Sequence, residues 1–367
     1  MFDPSVLSQS QIRLYSEVCG FIIERDQNDF FNKFMTVDAP AGTGKTFTIN
    51  QATKYLQMLG NTFTTTSFTG RACAQLSKSG IQAQTCHSIL FTPLLDDNGD
   101  LIRFQKREIS EIAQDVGDFI VVDESSMIPY EFHKLFDMLQ IPIIYLGDSY
   151  QLPCIDNDNP DFNVMESIDA YKTSLNQNVR FSDDSGIFWL SKHLKVEDTI
   201  PRFSSHDDLR IVPKRRLKKE SFFQENNFDV ILTGTNATRK NMNDIVRKAK
   251  GYFSYSPETA VVGEQIIALR NDVVGGIKIN NGELYIIKEA LPDKLEHVTR
   301  YFVECKDDPT RKLWVRVPDE CWLEEFCARK DKNGEPLQMF AFGHAMSVHK
   351  SQGSSIEHPL FIDEDVS

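Results

Sequence analysis

Ala39-Pro40-Ala41-Gly42-Thr43-Gly44-Lys45-Thr46 is the stretch that decides the fold, through what stands on either side of it. Residues 34–39 form a short apolar run of strand length, and 46–59 have helical spacing up to a stop at Gly60. A Gly-Lys-Thr turn between a strand and a helix has the composition of a phosphate-binding loop. Its glycines let backbone N–H groups turn toward phosphate oxygens, and the helix N-terminus adds partial positive charge. On this reading Pro40, Ala41, Gly42, Thr43, Gly44, Lys45 and Thr46 cradle a nucleotide. Lys45 brings a point charge to its β/γ phosphates, and the Thr46 hydroxyl ligates Mg²⁺. Ala39 stands where the common pattern starts with glycine, at the strand end, where a methyl group is tolerated.

Outward from the loop, strands and helices alternate. Residues 8–25 have helical spacing, 61–68 are Thr-rich and β-prone, and a further helix starts at 71–76. The apolar runs 118–123 and 141–147 read as strands, each ending in carboxylates: Asp123-Glu124 and Asp148. Such strands, separated by helices, imply a parallel sheet buried on both faces, with ligands at the carboxyl ends of its strands. Asp123 is therefore a second Mg²⁺ ligand and Glu124 the group that polarises an attacking water. Asn98-Gly99, between Leu94-Leu95 and Leu101-Ile102, signals a hairpin. A second α/β pattern begins at Asp229 with a strand at 230–235. Short antiparallel strands at 284–287, 301–304 and 313–317 interrupt it as an inserted β domain, and it resumes at 341–348 and 360–363.

With 367 residues, 41% hydrophobic and 25% charged, the chain is ordinary globular material for two or three domains. No apolar run is long enough to cross a bilayer, and no secretory pattern opens the sequence. Seven scattered cysteines without a C-x-x-C pair point to reduced thiols in a cytoplasm, the host's if the source is viral. Forty Lys and Arg against 53 Asp and Glu give a net charge of −13. That balance argues against a nucleic-acid coat but leaves room for a local basic channel. The run Lys214, Arg215, Arg216, Lys218 and Lys219 reads equally as a solvated face and as a nucleic-acid contact.

Further motifs follow in a recognisable order. Ser67-Phe68-Thr69-Gly70-Arg71 follows the second strand, Thr85-Cys86-His87 lies beyond it, and Asp123-Glu124-Ser125-Ser126-Met127 closes the third. After these come Gly147-Asp148-Ser149-Tyr150-Gln151-Leu152-Pro153, Asn178-Val179-Arg180, Thr235-Asn236 with Arg239 and Asn243, the turns Gly263-Glu264 and Asn281-Gly282, and Ser347-Val348-His349-Lys350-Ser351-Gln352-Gly353. Together they resemble superfamily 1 DNA helicases of the RecD/Dda type, known from bacteriophages and bacteria, over nearly the whole chain.

The resemblance implies an α/β fold of two RecA-like parallel-sheet lobes, with a β-hairpin insertion in the first and a small SH3-like β-barrel in the second. The first lobe is expected over 1–90 and 113–185, the hairpin pin over 91–112, the second lobe over 186–282 and 341–367, and the barrel over 283–340. It implies ATP hydrolysed with Mg²⁺ at the cleft between the lobes, driving 5′→3′ movement along single-stranded DNA and opening of a forked duplex. Gln11 then reads adenine, Gln151 senses the γ-phosphate and Arg180 reaches it. Phe68, Thr69, His87, Asn236, His349 and Lys350 contact DNA, and Phe104 sits at the pin. The resemblance further implies a monomer working with a single-strand-binding protein or other replication proteins, in replication, recombination or repair, and no membrane partner. The family also carries a terminal Tyr-x-Ala-x-Thr-Arg helix, absent before Ser367, which leaves two alternatives open: a P-loop ATPase without unwinding, and a DNA-binding module without catalysis.

Overall fold

The computed structural model describes residues 6–24, 32–95, 101–154, 156–177, 179, 184–197, 199–201, 206–255, 258–293, 297–352, 354 and 356–364. The chain divides into two units, 1–211 and 212–367. The helix Gly186–Glu197, given to the second lobe by the sequence boundaries, lies in the first unit.

Among its described residues the first unit has eight strands: β1 (Phe34–Asp38), β2 (Phe63–Ser67), β3 (Ala83–Thr85), β4 (Phe91–Leu95), β5 (Leu101–Lys106), β6 (Phe119–Asp123), β7 (Ile143–Gly147) and β8 (Tyr171–Ser174). Six of them form one parallel sheet in the order β3-β2-β6-β7-β1-β8. Its side chains divide by the two-residue period of a strand. Phe119 and Val121 of β6, with Met35 and Val37 of β1, pack against α1 (Gln9–Ile23) and α2 (Lys45–Met58) through Leu14, Val18, Ile22, Ile49, Ala52 and Leu56. Ile120 and Val122, with Phe34 and Tyr145, cover the other face with Ile89, Ile112, Phe132 and Phe136. Both faces are dry, as the unbroken apolar strands require. β4 and β5 pair antiparallel apart from this sheet; the segment joining them, with the Asp96, Asp97 and Asp100 cluster, lies outside the described residues.

In the second unit β9 (Val230–Thr233) is the middle strand of a small parallel sheet. Its neighbours come from the end of the chain, β17 (Ala345–Ser347) and β18 (Pro359–Phe361). The helix Asn236–Ala249 packs on it through Met242 and Val246. Asn243 of that helix clasps β17 like a strand partner, donating to Ala345 O at 3.3 Å and accepting from Ala345 N at 2.9 Å.

The intervening residues supply β10 (Gln265–Ala268), β11 (Asp272–Val274), β12 (Ile277–Ile279), β13 (Leu284–Asp293), β14 (Val298–Cys305), β15 (Lys312–Pro318) and β16 (Phe340–Phe342). Five of these make an antiparallel sheet in the order β15-β14-β13-β10-β16. It extends beyond the stretch 283–340, because β10 and β16 belong to it. A bifurcated ion pair ties the helix Asn236–Ala249 to its start: Arg247 Nε lies 2.5 Å from Glu264 Oε1, both side chains fully buried, with the guanidinium 3.7 Å above the Phe342 ring. No helix among the described residues is long and apolar enough to cross a membrane.

Candidate functional site

The loop after β1 is shaped by its glycines and by the neighbouring strand. Ala39 N donates to Gly147 O at 2.8 Å, so the chain leaves the sheet beside the end of β7. Gly42 and Gly44 hold φ of 84° and 80°, in the left-handed region that side chains resist. Thr43 folds its hydroxyl back to Pro40 O at 2.8 Å, and α2 starts at Lys45, so the loop heads a helix N-terminus. Gln11 closes the loop from α1. Its amide donates to Thr43 O at 3.2 Å while its carbonyl accepts from Ser8 N at 2.9 Å, completing the capping box of α1. A Cβ on Gly44 would lie 2.3 Å from that amide.

The carboxyl end of β6 delivers the charges. Lys45 Nζ lies 3.1 Å from Asp123 Oδ1 and 4.0 Å from Glu124 Oε1. Burial alone would depress this ammonium, but the two carboxylates outweigh it and hold it up to about 12, so Lys45 stays charged. The Thr46 hydroxyl donates to Asp123 Oδ2 at 3.4 Å. A hydroxyl and a carboxylate oxygen converging at one point are hard ligands of the type Mg²⁺ takes, so the residues fit that ion.

Glu124 sits at φ 52°, ψ 46°, an unusual conformation for a non-glycine residue. Its Oε2 is buried without a hydrogen bond among the described residues, and burial raises its pKa. This carboxylate can take a proton. Gln151 N donates to Asp148 O at 2.9 Å, and its side-chain oxygen accepts from Ser126 at 3.4 Å, which brings the β7 motif against the β6 motif. The structure thus gathers Gln11, residues 40–46, Asp123, Glu124 and Gln151 at one end of the sheet. Arg180 lies outside the described residues.

Phe68 and His87 also meet. The His87 ring is 5.6 Å from Phe68, 5.7 Å from Phe91, 6.0 Å from Phe104 and 4.7 Å from Phe132. Burial in this cluster depresses the imidazole and keeps it neutral. Phe104 is 51% exposed at the outer side, whereas Phe132 is buried. Thr69 has a structural task, accepting from Ala72 N at 3.1 Å as the N-cap of the helix Gly70–Lys78. Phe91 and Phe132 were not singled out from sequence; the aromatic density around residue 91 is the signal that was there.

In the second unit, Asn236 accepts from Arg239 Nε at 3.2 Å, and Arg239 Nη2 donates to both oxygens of Glu325 at 2.7 and 2.6 Å. Lys350 lies within electrostatic reach of that pair, and His349 is half-buried beside it in sequence. The turn before Asn236 is engaged by Glu364, whose carboxylate accepts from Gly234 N at 2.5 Å, from Thr235 N at 3.0 Å and from the Thr238 hydroxyl. Lys214, from the basic run, donates to Asp363 O at 3.3 Å.

Residues 29–213, just over half of the chain, match the AAA domain family. The chain belongs to that family. Its fold is similar to that of Pif1: the structure of Bacteroides Pif1 bound to single-stranded DNA superposes with a TM-score of 0.55 at 15% identity, over 97% of this chain and 85% of that one. Pif1 from Candida albicans gives 0.53 at 15% identity, over 97% and 88%. A structure of two coordinating Pif1 helicases at forked double-stranded DNA gives 0.56 at 15% identity, over 97% and 85%. In sequence, this AAA protein is 25% identical over 248 residues to uncharacterized protein R530 of Acanthamoeba polyphaga mimivirus, covering 57% of this chain. The chain spans about half the length of that curated relative.

Proposed function

We propose that the protein is an ATP-dependent DNA helicase that translocates along single-stranded DNA, 5′→3′. The observation that carries this reading is the convergence of Lys45, Thr46, Asp123 and the buried Glu124 carboxylate on a glycine-shaped loop at a helix N-terminus. Fixed backbone N–H groups and the Lys45 ammonium receive the β and γ phosphates of ATP, and Lys45 exchanges its Asp123 contact for them. Mg²⁺, when bound, offsets phosphate charge, with Thr46 and Asp123 holding it. Glu124 orients the attacking water and takes its proton, a task suited to a carboxylate whose affinity for protons burial has raised. Gln151 and Arg180 report the γ-phosphate, and Gln11 faces the base side of the loop.

Single-stranded DNA is gripped in the first unit by the Phe68–His87 surface and in the second by Asn236, His349 and Lys350. Aromatic faces and polar phosphate contacts give a grip blind to sequence. The β4–β5 ribbon, with exposed Phe104, acts as the pin that parts a forked duplex, and the strands of 283–340 belong to an SH3-like barrel. The protein works as a monomer on forked DNA during replication, recombination or repair. ATP turnover measured with and without single-stranded DNA tests this reading: stimulation by single strands supports it, and turnover indifferent to DNA contradicts it.

A further inference from the structure

The register of β13, β14 and β15 sets out one face of the antiparallel sheet row by row. Tyr301, Val303, Leu313 and Val315 point into the core, so Arg300, Phe302, Lys312 and Trp314, at the alternate positions, point away from it. Phe302 stands opposite Trp314, and the two half-buried rings lie 5.3 Å apart at 39°. In the row on one side, Arg300 stands between Leu291 of β13 and Arg316 of β15, and its guanidinium lies 5.3 Å from the centre of the Trp314 ring. In the row on the other side, Glu304 stands opposite Lys312 and is held by two ammonium groups, Lys312 Nζ at 2.9 Å and Lys288 Nζ at 3.0 Å.

The charges of this face are unevenly matched. Glu304 is shared by two lysines, and Arg316 is paired with Asp331 at 2.6 Å. Glu289, opposite Phe302, is the remaining carboxylate. Arg300 is exposed, and its side chain has no hydrogen bond or ion pair among the described residues. Its contact with Trp314 uses the flat face of the guanidinium and leaves the N–H edge free to donate. Four cations thus meet three carboxylates around an aromatic pair, a local excess of positive charge in a chain whose net charge is −13.

We propose that this face binds unpaired DNA, with a base stacked on the Phe302–Trp314 pair and the adjoining phosphate taken by Arg300. Aromatic side chains on the open face of a sheet are a platform on which any base can stack. Because Arg300 touches the Trp314 ring, a base on that ring brings its phosphate within reach of the guanidinium. The proposal rests on the DNA-translocase reading above and adds to it a contact on the antiparallel sheet. A proline-rich segment of a protein partner also suits two aromatic rings, but it carries no charge to answer Arg300, so unpaired DNA is the occupant this face favours.

Fluorescence anisotropy with the full chain and a labelled oligothymidylate tests it. Trp314→Ala is expected to weaken binding about tenfold, as loss of one stacked base does, while Trp314→Phe stays within about threefold of wild type. Arg300→Ala, an exposed change that leaves the core of the sheet untouched, weakens binding and lowers the slope of log affinity against log salt by about 0.7, and Arg300→Lys restores that slope. On an oligonucleotide made of abasic sites, wild type and Trp314→Ala bind alike. Binding by Trp314→Ala and Arg300→Ala within about twofold of wild type overturns the proposal and leaves the helicase reading intact. Equal losses in the Ala and Phe variants, a Trp314→Ala loss that persists on abasic DNA, or an unchanged salt slope in Arg300→Ala also overturns it. Failure of the wild type itself to bind single strands overturns the underlying reading, and this proposal with it.

Discussion

At the scale of single residues, different side chains hold a nucleotide and cleave it in the proposed mechanism. Lys45 is kept cationic by two carboxylates although burial opposes charge, so its charge is available to phosphate at any ordinary pH. Lys45→Ala is therefore expected to cut ATP turnover by about 10³-fold or more, in the range seen when a preorganised charged contact to a transition state is removed. Glu124→Gln is expected to bind a fluorescent ATP analogue as wild type does and to hydrolyse almost none. Loss of nucleotide binding in that variant would make Glu124 a structural residue. These residues were legible in the sequence because phosphate chemistry constrains a short contiguous stretch. Gln11 was legible as a member of the site, but not its double engagement with Ser8 and Thr43, which depends on where α1 lies against the loop. Arg239 was legible as a motif residue, but its contact with Glu325 was beyond reach for the same reason, since 86 residues separate the two.

At the scale of elements, the parallel strands of the first unit could be read directly, because apolar runs ending in carboxylates state both burial and direction. The antiparallel sheet of the second unit was read only in its three longest strands. β10 and β16 are short buried segments whose partners are distant, and nothing in Gln265–Ala268 distinguishes a parallel neighbour from an antiparallel one.

The turn that opens β13 carries a titratable lock. Glu283 is buried and accepts from Asn280 N at 2.9 Å, Asn280 Nδ2 at 2.8 Å, the Tyr285 hydroxyl at 2.7 Å and Arg311 Nη1 at 2.9 Å. Burial pushes its pKa up, but Arg311 and the other donors outweigh burial and leave it below the ordinary 4.5. A depressed folded value means that the stabilisation is present above 4.5 and is lost as pH falls through the folded value. Glu283→Gln is expected to cost about 1–3 kcal/mol at neutral pH, as loss of charged hydrogen bonds does. The gap between wild type and variant in urea midpoint should close on acidification below the ordinary value. A gap that stays constant to low pH would show that the carboxylate charge contributes nothing.

At the scale of the whole molecule, a net charge of −13 means that the proposed grip on nucleic acid must come from local surfaces. On the proposed reading, the His87 cluster in the first unit supplies stacking and Asn236, His349 and Lys350 in the second supply phosphate contacts, without a broadly basic surface. Binding through such surfaces follows local potential, not total charge. The proposed movement on DNA and strand separation are properties of the intact molecule acting on a fork, and are tested there. The most direct measurement is strand displacement on a forked duplex with a single 5′ tail, followed with ATP, without ATP and with Lys45→Ala. Displacement is expected only by the wild-type protein with ATP, and little on a duplex carrying only a 3′ tail. Displacement that persists without ATP or in Lys45→Ala, or ATP turnover with no displacement on either tail, would contradict the helicase reading.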